Sequence, residues 1–401
     1  MTSFFTVRQL SHVIQSKFLT VILFLLTSST SWSYPEFIAY GYRSCLTCHF
    51  NATGGGGLND YGRAVWASEI ASKALLFSRW SDERLGETSG FLGRPDRLPW
   101  WIRPGIKTRN LYVVNDPGSK DAIERWITMQ QEVNSAFFLD RDQRLMFYGS
   151  YGFRPMPESF KDRPGDKPEE WISREHYVRV MVNDSFHMYA GLMDKVFGIK
   201  NVDHKAFARE MTQLTMDDQS HSVMAHIVRD SFDLYGQYFV GNLQQKEKLR
   251  PQGFTLHFDR ALGERSAFGG SYLSEANDFV KRQMISANFR TGLRGQGNGF
   301  LSEVGMIEEK PDGQKAEQGI YTFFENMIRF TRGYHGLLRF ETWKADINSN
   351  SPESFKYGFG FLTFPWVRTE FRFDVYNQRT IVPGQATEDT WIAMGQLHLS
   401  L

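Results

Sequence analysis

The sequence predicts a mainly β protein, a transmembrane antiparallel β-barrel of about 16 strands preceded by a small α-helical segment. Three observations predict it. Apolar and polar residues alternate with a period of two through most of the chain after residue 106. Many of the alternating runs reach the roughly 9 to 11 residues that a membrane-spanning strand needs, whereas strands of soluble proteins average about five or six. Aromatic residues make up 15% of the 401 residues although the mean hydropathy is −0.41, which fits strands with one aromatic face.

The N-terminal residues 1–33 are expected to be a secretory signal. Arg8 and Lys17 supply positive charge, residues 18–26 form an apolar core, and Ser31 and Ser33 place small side chains at positions −3 and −1 of a cleavage site. The apolar core is shorter than the roughly 20 residues of a spanning helix, although a retained anchor is the alternative. No later segment has a long uncharged apolar run, so any further membrane insertion requires a barrel.

The segment Cys45-Leu46-Thr47-Cys48-His49 contains both cysteines of the chain and matches the C-x-x-C-H pattern of covalent haem attachment. Two thiols at this spacing can reach the two vinyl groups of one porphyrin, and the adjacent histidine supplies a nitrogen to the iron. The prediction is one haem c, bound covalently through Cys45 and Cys48, with His49 as an axial iron ligand. The alternatives are a disulfide, a zinc site, which would need two more ligands, and a thioredoxin-like redox pair.

The residues that follow predict a haem cradle. The four glycines 54–57 let the backbone pass close to a flat ring, with a flexible connector as the alternative. Arg63 is expected to pair with a haem propionate, because a guanidinium fork matches carboxylate geometry. A helix is predicted over 64–77, with Val65, Ile70 and Leu75 on its apolar face.

Three segments follow the signal. Residues 34–95 are expected to form a mono-haem cytochrome segment too small to bury much core unaided. Residues 96–105 are rich in helix and strand breakers and predict a linker. Residues 106–401 are assigned to the barrel, with charged mid-strand residues facing a wet lumen and apolar residues facing lipid. Short turns alternate with longer polar stretches, and the chain ends on an amphipathic strand, 391–401. A soluble β-sandwich or propeller is the alternative.

One long connection, residues 198–221, interrupts the alternation and is expected to be either an external loop or a segment folded into the lumen. It contains His204, the leading candidate for a second axial iron ligand, because no methionine follows His49 within 34–95. Met211, Met216 and His221 are the alternatives.

Residues 41–63 resemble the N-terminal haem segment of bacterial porin-like proteins that carry one c-type haem ahead of an outer-membrane barrel. The resemblance rests on C-x-x-C-H and on the glycine run followed by Leu-Asn-x-Tyr-Gly-Arg, and it covers the remaining chain by pattern alone. It implies covalent and axial roles for Cys45, Cys48 and His49, and a haem segment located in the periplasm or in the barrel lumen.

The resemblance implies a haem-binding electron-transfer protein of the outer membrane. A transport porin whose haem segment plugs or gates the pore is the main alternative, and a haem enzyme with an open iron site is the third hypothesis. Periplasmic electron carriers or other cytochromes and outer-membrane lipid are the expected partners, and a homo-oligomer is left open. The formal net charge of +1 gives no reason to expect a nucleic-acid partner.

Overall fold

The computed structural model describes residues 38–400, apart from residues 43, 55, 75–76, 94–97, 119–120, 156–168, 202, 204, 216–217 and 294. The expected signal, residues 1–33, the apolar helix residue Leu75, and two of the candidate iron ligands, His204 and Met216, lie outside the described residues. All described strands are antiparallel and belong to one sheet, which closes on itself because its first strand pairs with its last.

The strands, in chain order, are β1 (Ile102–Asp116), β2 (Ile123–Phe138), β3 (Leu145–Pro155), β4 (Glu169–Ile172), β5 (His176–Asn183), β6 (Phe186–Met193), β7 (Ser220–Arg229), β8 (Phe232–Phe239), β9 (Gln252–Ala261), β10 (Ser266–Ala276), β11 (Val280–Gly292), β12 (Gly299–Pro311), β13 (Glu317–Thr331), β14 (Tyr334–Lys344), β15 (Glu353–Trp366), β16 (Thr369–Ile381) and β17 (Glu388–Ser400). Strands β4 and β5 pair with successive parts of β3 and share one position in the ring. The closed barrel therefore has 16 strand positions, which confirms the expected strand number.

The helices are short. They are α1 (Asp60–Val65), continued by a π-helical turn over Trp66–Ile70, then α2 (Asp82–Glu87) and α3 (Phe207–Glu210). Single 3-10 turns occur at Ile38–Tyr40, Cys45–Thr47, Phe91–Gly93 and Glu247–Leu249. Among the described residues, no helix has the length and apolar character needed to cross a membrane.

The helix expected over 64–77 has different bounds. It begins earlier, because the Asn59 side chain caps it by accepting a hydrogen bond from the Gly62 N–H. It ends at Ile70, because Ala71 is extended and the Ser72 N–H donates to the Phe364 carbonyl of the barrel wall. Val65 and Ile70 are buried, as the apolar pattern predicts.

The barrel is apolar outside and polar inside. On β15, β11 and β16 the side chains of Phe359, Ile285 and Phe373 are 61%, 57% and 52% exposed on the outer surface. Charged residues at the alternate positions, such as Glu325 and Arg339, are buried in the lumen and bonded to one another. This arrangement confirms the expected outward direction of the apolar residues and inward direction of the polar ones.

The two ends of the barrel differ. At one end the connections β5–β6, β7–β8, β13–β14 and β15–β16 each consist of the two residues between their strands. We call this the short-turn end. The other, the long-loop end, includes the connections 194–219 and 240–251. The contrast agrees with the predicted short-turn, long-loop asymmetry.

The first strand corrects one expected boundary. β1 begins at Ile102 and pairs with β2 from that residue onward. Residues 102–105 therefore belong to the barrel and not to the linker that the breakers Pro104 and Gly105 predict. Pro104 and Gly105 lie in register with Ser135 and Asn134 of β2.

Candidate functional site

Residues 38–93, which we call the plug, lie inside the mouth of the barrel at the short-turn end. On one side the Gly57 N–H donates to the Tyr148 hydroxyl of β3 at 2.9 Å. On another side the Ser72 N–H donates to the Phe364 carbonyl of β15 at 2.8 Å. The plug is therefore held by strands from different parts of the ring.

Apolar packing supports these hydrogen bonds in two clusters. Phe50 and Ala52 of the plug pack against inward-facing residues of β2, β3 and β5–β8. A second group of plug residues packs against β13, β14 and β15, and consists of Ala39, Tyr40, Cys48, Val65, Ile70 and Ala71. The plug is too small to form a hydrophobic core alone, and it shares one with the barrel wall instead.

Arg332, in the β13–β14 turn, fastens the end of the plug helix. Its guanidinium donates to the carbonyls of Ala71 and Ala67 at 2.7 and 3.0 Å and to the Asp82 carboxylate at 2.6 Å. Arg368, in the β15–β16 turn, donates in the same way to the Ser89 and Gly90 carbonyls. Two turns of the wall therefore hold the plug by its carbonyl groups.

The C-x-x-C-H segment is a tight turn. The His49 N–H donates to the Cys45 carbonyl at 2.9 Å, and the Asn59 side-chain amide donates to the Thr47 carbonyl at 3.0 Å. α1 then passes so close that a Cβ on Gly62 would lie 2.3 Å from the Cys48 carbonyl oxygen. The turn and the helix are thus fixed against each other.

The glycine run folds back over this turn. The Phe50 N–H donates to the Gly57 carbonyl at 3.0 Å, and His49 and Leu58 form an isolated antiparallel bridge. Gly54 has a φ of +85°, and a Cβ at this residue would lie 3.2 Å from the Cys45 sulfur. Gly54 thus combines a left-handed backbone with a close approach to a thiol, both of which favour glycine.

The connection 194–219, which we call the constriction loop, folds into the lumen. The Gly198 N–H donates to the Ser271 hydroxyl at 2.8 Å, and the Ile199 N–H donates to the Glu303 carboxylate at 2.6 Å. The Phe207 N–H donates to the Glu341 carboxylate. Of the two alternatives for residues 198–221, the structure thus has the segment folded into the lumen.

Two adjoining cavities lie between the plug, the constriction loop and the wall. Both are bordered by His49, Gly54, Lys200 and Arg209. The smaller cavity is also bordered by both cysteines. The C-x-x-C-H segment therefore faces open space inside the lumen.

The side chains of Cys45, Cys48 and His49 are all uncharged at pH 7. Burial, followed by the positive charge of Lys107, lowers the pKa of His49 to about 4, so its imidazole is neutral at pH 7. Burial raises the pKa of the Cys45 thiol and raises that of Cys48 to about 12. His49 Nδ1 lies 3.4 Å from the Gly56 carbonyl, and a proton on Nδ1 makes Nε2 the metal-binding nitrogen.

The residues at this site fit a c-type haem. Both cysteines are free thiols and face the same space as the neutral imidazole. Leu58, Trp66 and Ile70 supply apolar surface to the larger cavity, and Lys107, Arg174 and Lys200 supply positive charge beside it. Among described contacts, Trp66 Nε1, Arg209 Nε and Asn201 Nδ2 are buried at the cavity without a hydrogen-bond partner, as expected where a polar ligand completes the bonding. The described residues contain no cluster of three or more His, Cys, Asp or Glu side chains suited to a metal ion.

Arg63 is not among the residues that border the two cavities. Its guanidinium donates to the Pro104 carbonyl at 2.8 Å. Its pairing with a propionate stays a prediction.

Of the described alternatives to His204, Met211 packs in the apolar cluster of the constriction loop, and His221 Nδ1 accepts from the Leu243 N–H. Neither borders the cavities.

Two histidines that sequence reasoning missed do border the cavities. His257, on β9, borders the smaller cavity, and His398, on β17, borders the larger one, each together with His49. Both occupy polar positions in alternating strands, so the period of two could have placed them in the lumen. It could not have shown which inward-facing residues lie at the depth of His49.

Comparison with known structures supports the fold. The chain is similar to in-vitro folded OmpT, an outer membrane protein of Vibrio cholerae (TM-score 0.59, 8% identity, covering 76% of this chain and 99% of that one). It is also similar to an anion-selective porin from Comamonas acidovorans (TM-score 0.54, 8% identity, 75% and 99% covered). A third similar structure is OmpF of Salmonella typhi in complex with daunomycin (TM-score 0.52, 9% identity, 75% and 97% covered). No family model and no curated protein matches the sequence. These likenesses show a porin-type barrel fold.

Proposed function

We propose that this chain is a haem-binding electron-transfer protein of the outer membrane, in which a porin-type barrel contains its own c-type cytochrome segment. The observation that carries the proposal is the position of the C-x-x-C-H segment. Cys45, Cys48 and His49 all border one cavity in the lumen, between the plug and the constriction loop. A redox group held there lies within the membrane barrel rather than beside it.

Each residue of the segment has a distinct role in this proposal. Cys45 and Cys48 form the thioether bonds, and His49 supplies an axial nitrogen oriented by the Gly56 carbonyl. Bound haem supplies reversible one-electron chemistry. Residues of the plug and of the constriction loop both border the space that the haem would occupy.

The short-turn end is the proposed periplasmic end, since outer-membrane barrels have short turns there. A periplasmic electron carrier or another cytochrome is then the proposed partner at this end. Tyr61 is exposed on the plug surface and hydrogen-bonds through its hydroxyl to Tyr42, which borders the smaller cavity. This pair connects the exposed plug surface to the site.

A transport porin gated by the plug is the second candidate. The comparisons support it more directly than electron transfer, because the similar structures are porins and outer-membrane channels. The larger cavity is lined by charges of both signs, so its lining does not indicate the charge of a solute. The cationic residues are Lys107, Arg109, Arg174, Lys200 and Arg209, and the acidic residues are Glu132, Glu175, Asp194 and Glu370.

A paired measurement separates the two candidates. The full-length protein is purified from cells that attach haem, its haem is titrated by potential, and its bilayer conductance is recorded in the oxidised and the reduced state. Electron transfer predicts a haem that cycles reversibly with small periplasmic carriers, in a barrel whose low conductance does not depend on redox state. A gated porin predicts conductance that changes with redox state or solute.

The variant Cys45→Ala/Cys48→Ala is the control. It retains the plug contacts to Tyr148, Phe364 and Arg332 but cannot hold haem covalently. If wild-type protein, denatured and separated by electrophoresis, shows no covalently bound haem, the electron-transfer proposal is wrong.

A further inference from the structure

His398 is a lumen histidine on the last strand. It pairs in register with Arg109 of β1 and is 9% exposed. It borders the larger cavity from the wall, whereas His49 borders the same cavity from the plug. The two imidazoles therefore belong to different parts of the fold and face one shared space.

The two ring nitrogens of His398 have different surroundings. Nδ1 lies 3.4 Å from a carboxylate oxygen of Glu370, on the neighbouring strand β16. Nε2 is buried and has no hydrogen-bond partner among the described residues. Buried polar nitrogens are nearly always bonded, so Nε2 is the nitrogen of His398 that is available to a further partner. A carboxylate behind the opposite nitrogen is the usual second contact of a metal-binding histidine.

His257 provides the contrast. It also borders a cavity that His49 borders. However, its Nδ1 lies 2.7 Å from the Ser271 hydroxyl and its Nε2 lies 2.8 Å from Asp259, which is also paired with Arg290. Both nitrogens of His257 are thus engaged within the wall, and binding a metal would break one of these contacts.

We propose that His398 is the second axial ligand of the haem iron and that Glu370 is the residue that positions it. The inference rests on the proposed haem site and adds to it a ligand from the barrel wall. It replaces His204 as our leading candidate. With the thioethers on the plug and this ligand on β17, the iron would connect the two parts of the molecule.

The test uses full-length protein carrying haem, with His398→Ala and its matched control His257→Ala. Low-temperature EPR and near-infrared MCD spectra identify the axial ligands. We expect wild type and His257→Ala to be low-spin with two histidine ligands. We expect His398→Ala to keep its covalent haem but become high-spin, and to return to a low-spin spectrum when imidazole is added.

The variant Glu370→Gln tests the positioning role. It retains a hydrogen-bond acceptor but removes the charge, so we expect two-histidine ligation with a raised midpoint potential, because a nearby negative charge stabilises the oxidised iron. A purely structural role for Glu370 would leave the potential unchanged.

The ligand assignment and the haem proposal are contradicted by different results. A low-spin two-histidine spectrum that survives in His398→Ala overturns the ligand assignment while leaving the haem proposal intact, as does a methionine-ligated spectrum in wild type. Absence of covalent haem in wild type overturns both. If His398→Ala does not fold, as judged by heat-modifiable gel mobility, His398→Met preserves side-chain volume and is expected to give histidine–methionine ligation.

Discussion

Gly62 is the residue at which α1 approaches the C-x-x-C-H turn most closely. A Cβ there would lie 2.3 Å from the Cys48 carbonyl oxygen and 2.9 Å from its Cα. Both contacts are with backbone, which cannot rotate away as a side chain can. The helix and the turn would have to separate if any other residue replaced this glycine.

We therefore expect Gly62→Ala to destabilise the plug by about 1–3 kcal/mol, the usual cost of overpacking, and to lower the fraction of chains carrying covalent haem. The measurements are the haem-to-protein ratio and the rate of proteolysis within residues 38–93. Gly86→Ala in α2 is the control, because its Cβ would meet only the Ala64 methyl at 3.9 Å. That variant should be neutral or slightly stabilising. Equal behaviour of the two variants would contradict the close-contact argument.

Some residues of the candidate site are easier to predict from the sequence than others, for a physical reason. Cys45, Cys48 and His49 are adjacent, so their spacing alone predicts their chemistry. His398 is more than three hundred residues away and approaches them only because β17 pairs with β1 as the barrel closes. Arg63 is close to the motif in sequence and donates to the Pro104 carbonyl, and its proposed pairing with a propionate stays a prediction.

At the scale of elements, Arg332 in the β13–β14 turn anchors the plug helix. We expect Arg332→Ala to weaken plug docking by about 2 kcal/mol, since it removes three hydrogen bonds that each contribute about 0.5–1.5 kcal/mol. Faster proteolysis of the plug in an otherwise intact barrel would show the effect. Arg379→Ala removes an exposed ion pair with Asp389 and should cost less than about 1 kcal/mol. Plug protection that is unchanged in Arg332→Ala would refute the anchoring role.

Acidity should loosen the same contact. Partial burial opposes the shift, but Arg332 and Lys73 hold the pKa of Asp82 below its ordinary value. A carboxyl whose pKa is lower in the docked plug stabilises docking above the ordinary pKa and loses that effect as the pH falls through the lowered value. Plug proteolysis by an acid-active protease should therefore accelerate from about pH 5 to about pH 3. Asp82→Asn should show weakened protection at both pH values and a smaller pH dependence.

The constriction loop depends on Glu303 of β12. This buried carboxylate accepts from the Ile199 N–H and from the Tyr321 hydroxyl, both at 2.6 Å. Glu303→Ala leaves a buried N–H without its partner, which costs about 1–3 kcal/mol. We expect tryptic cleavage within residues 194–219 to become about tenfold faster or more. Glu308→Ala on the same strand removes an exposed contact with Gln318 and should leave the cleavage rate unchanged.

The strands were more predictable than the helix. Alternation is a local property that each strand carries in its own sequence, and the observed directions of Phe359 and Ile285 follow it. The end of the plug helix depends on a contact with Phe364, nearly three hundred residues away, so a local apolar period could not locate it.

For the whole molecule, the exposed apolar surface predicts that the barrel is stable in lipid. Ile285, in the middle of β11, is 57% exposed on the outer face. Ile285→Arg should lower the free energy of unfolding by about 2–4 kcal/mol in vesicles, the cost of a cation near the bilayer midplane. Phe279→Arg, in the adjoining turn, should cost only about 0–1 kcal/mol. Urea unfolding in vesicles measures both, and equal losses would contradict the membrane position of the barrel.

The barrel was predictable because the alternation of apolar and polar residues recurs along about three hundred residues. In a single strand this alternation is weak evidence, but its repetition in many strands is strong evidence. The position of the plug within that ring was not predictable. It depends on contacts with β3, β14 and β15 at once, and such surfaces exist only in the folded barrel.

The scattered partners of the plug have a consequence for the order of assembly. Tyr148, Phe364 and Arg332 converge on the plug only after distant hairpins have come together. The plug residues are synthesised before the strands, yet they can make all their contacts with the wall only after the strands have assembled. If the chain carries haem as proposed, the porphyrin would have to be attached before the barrel closes around the plug.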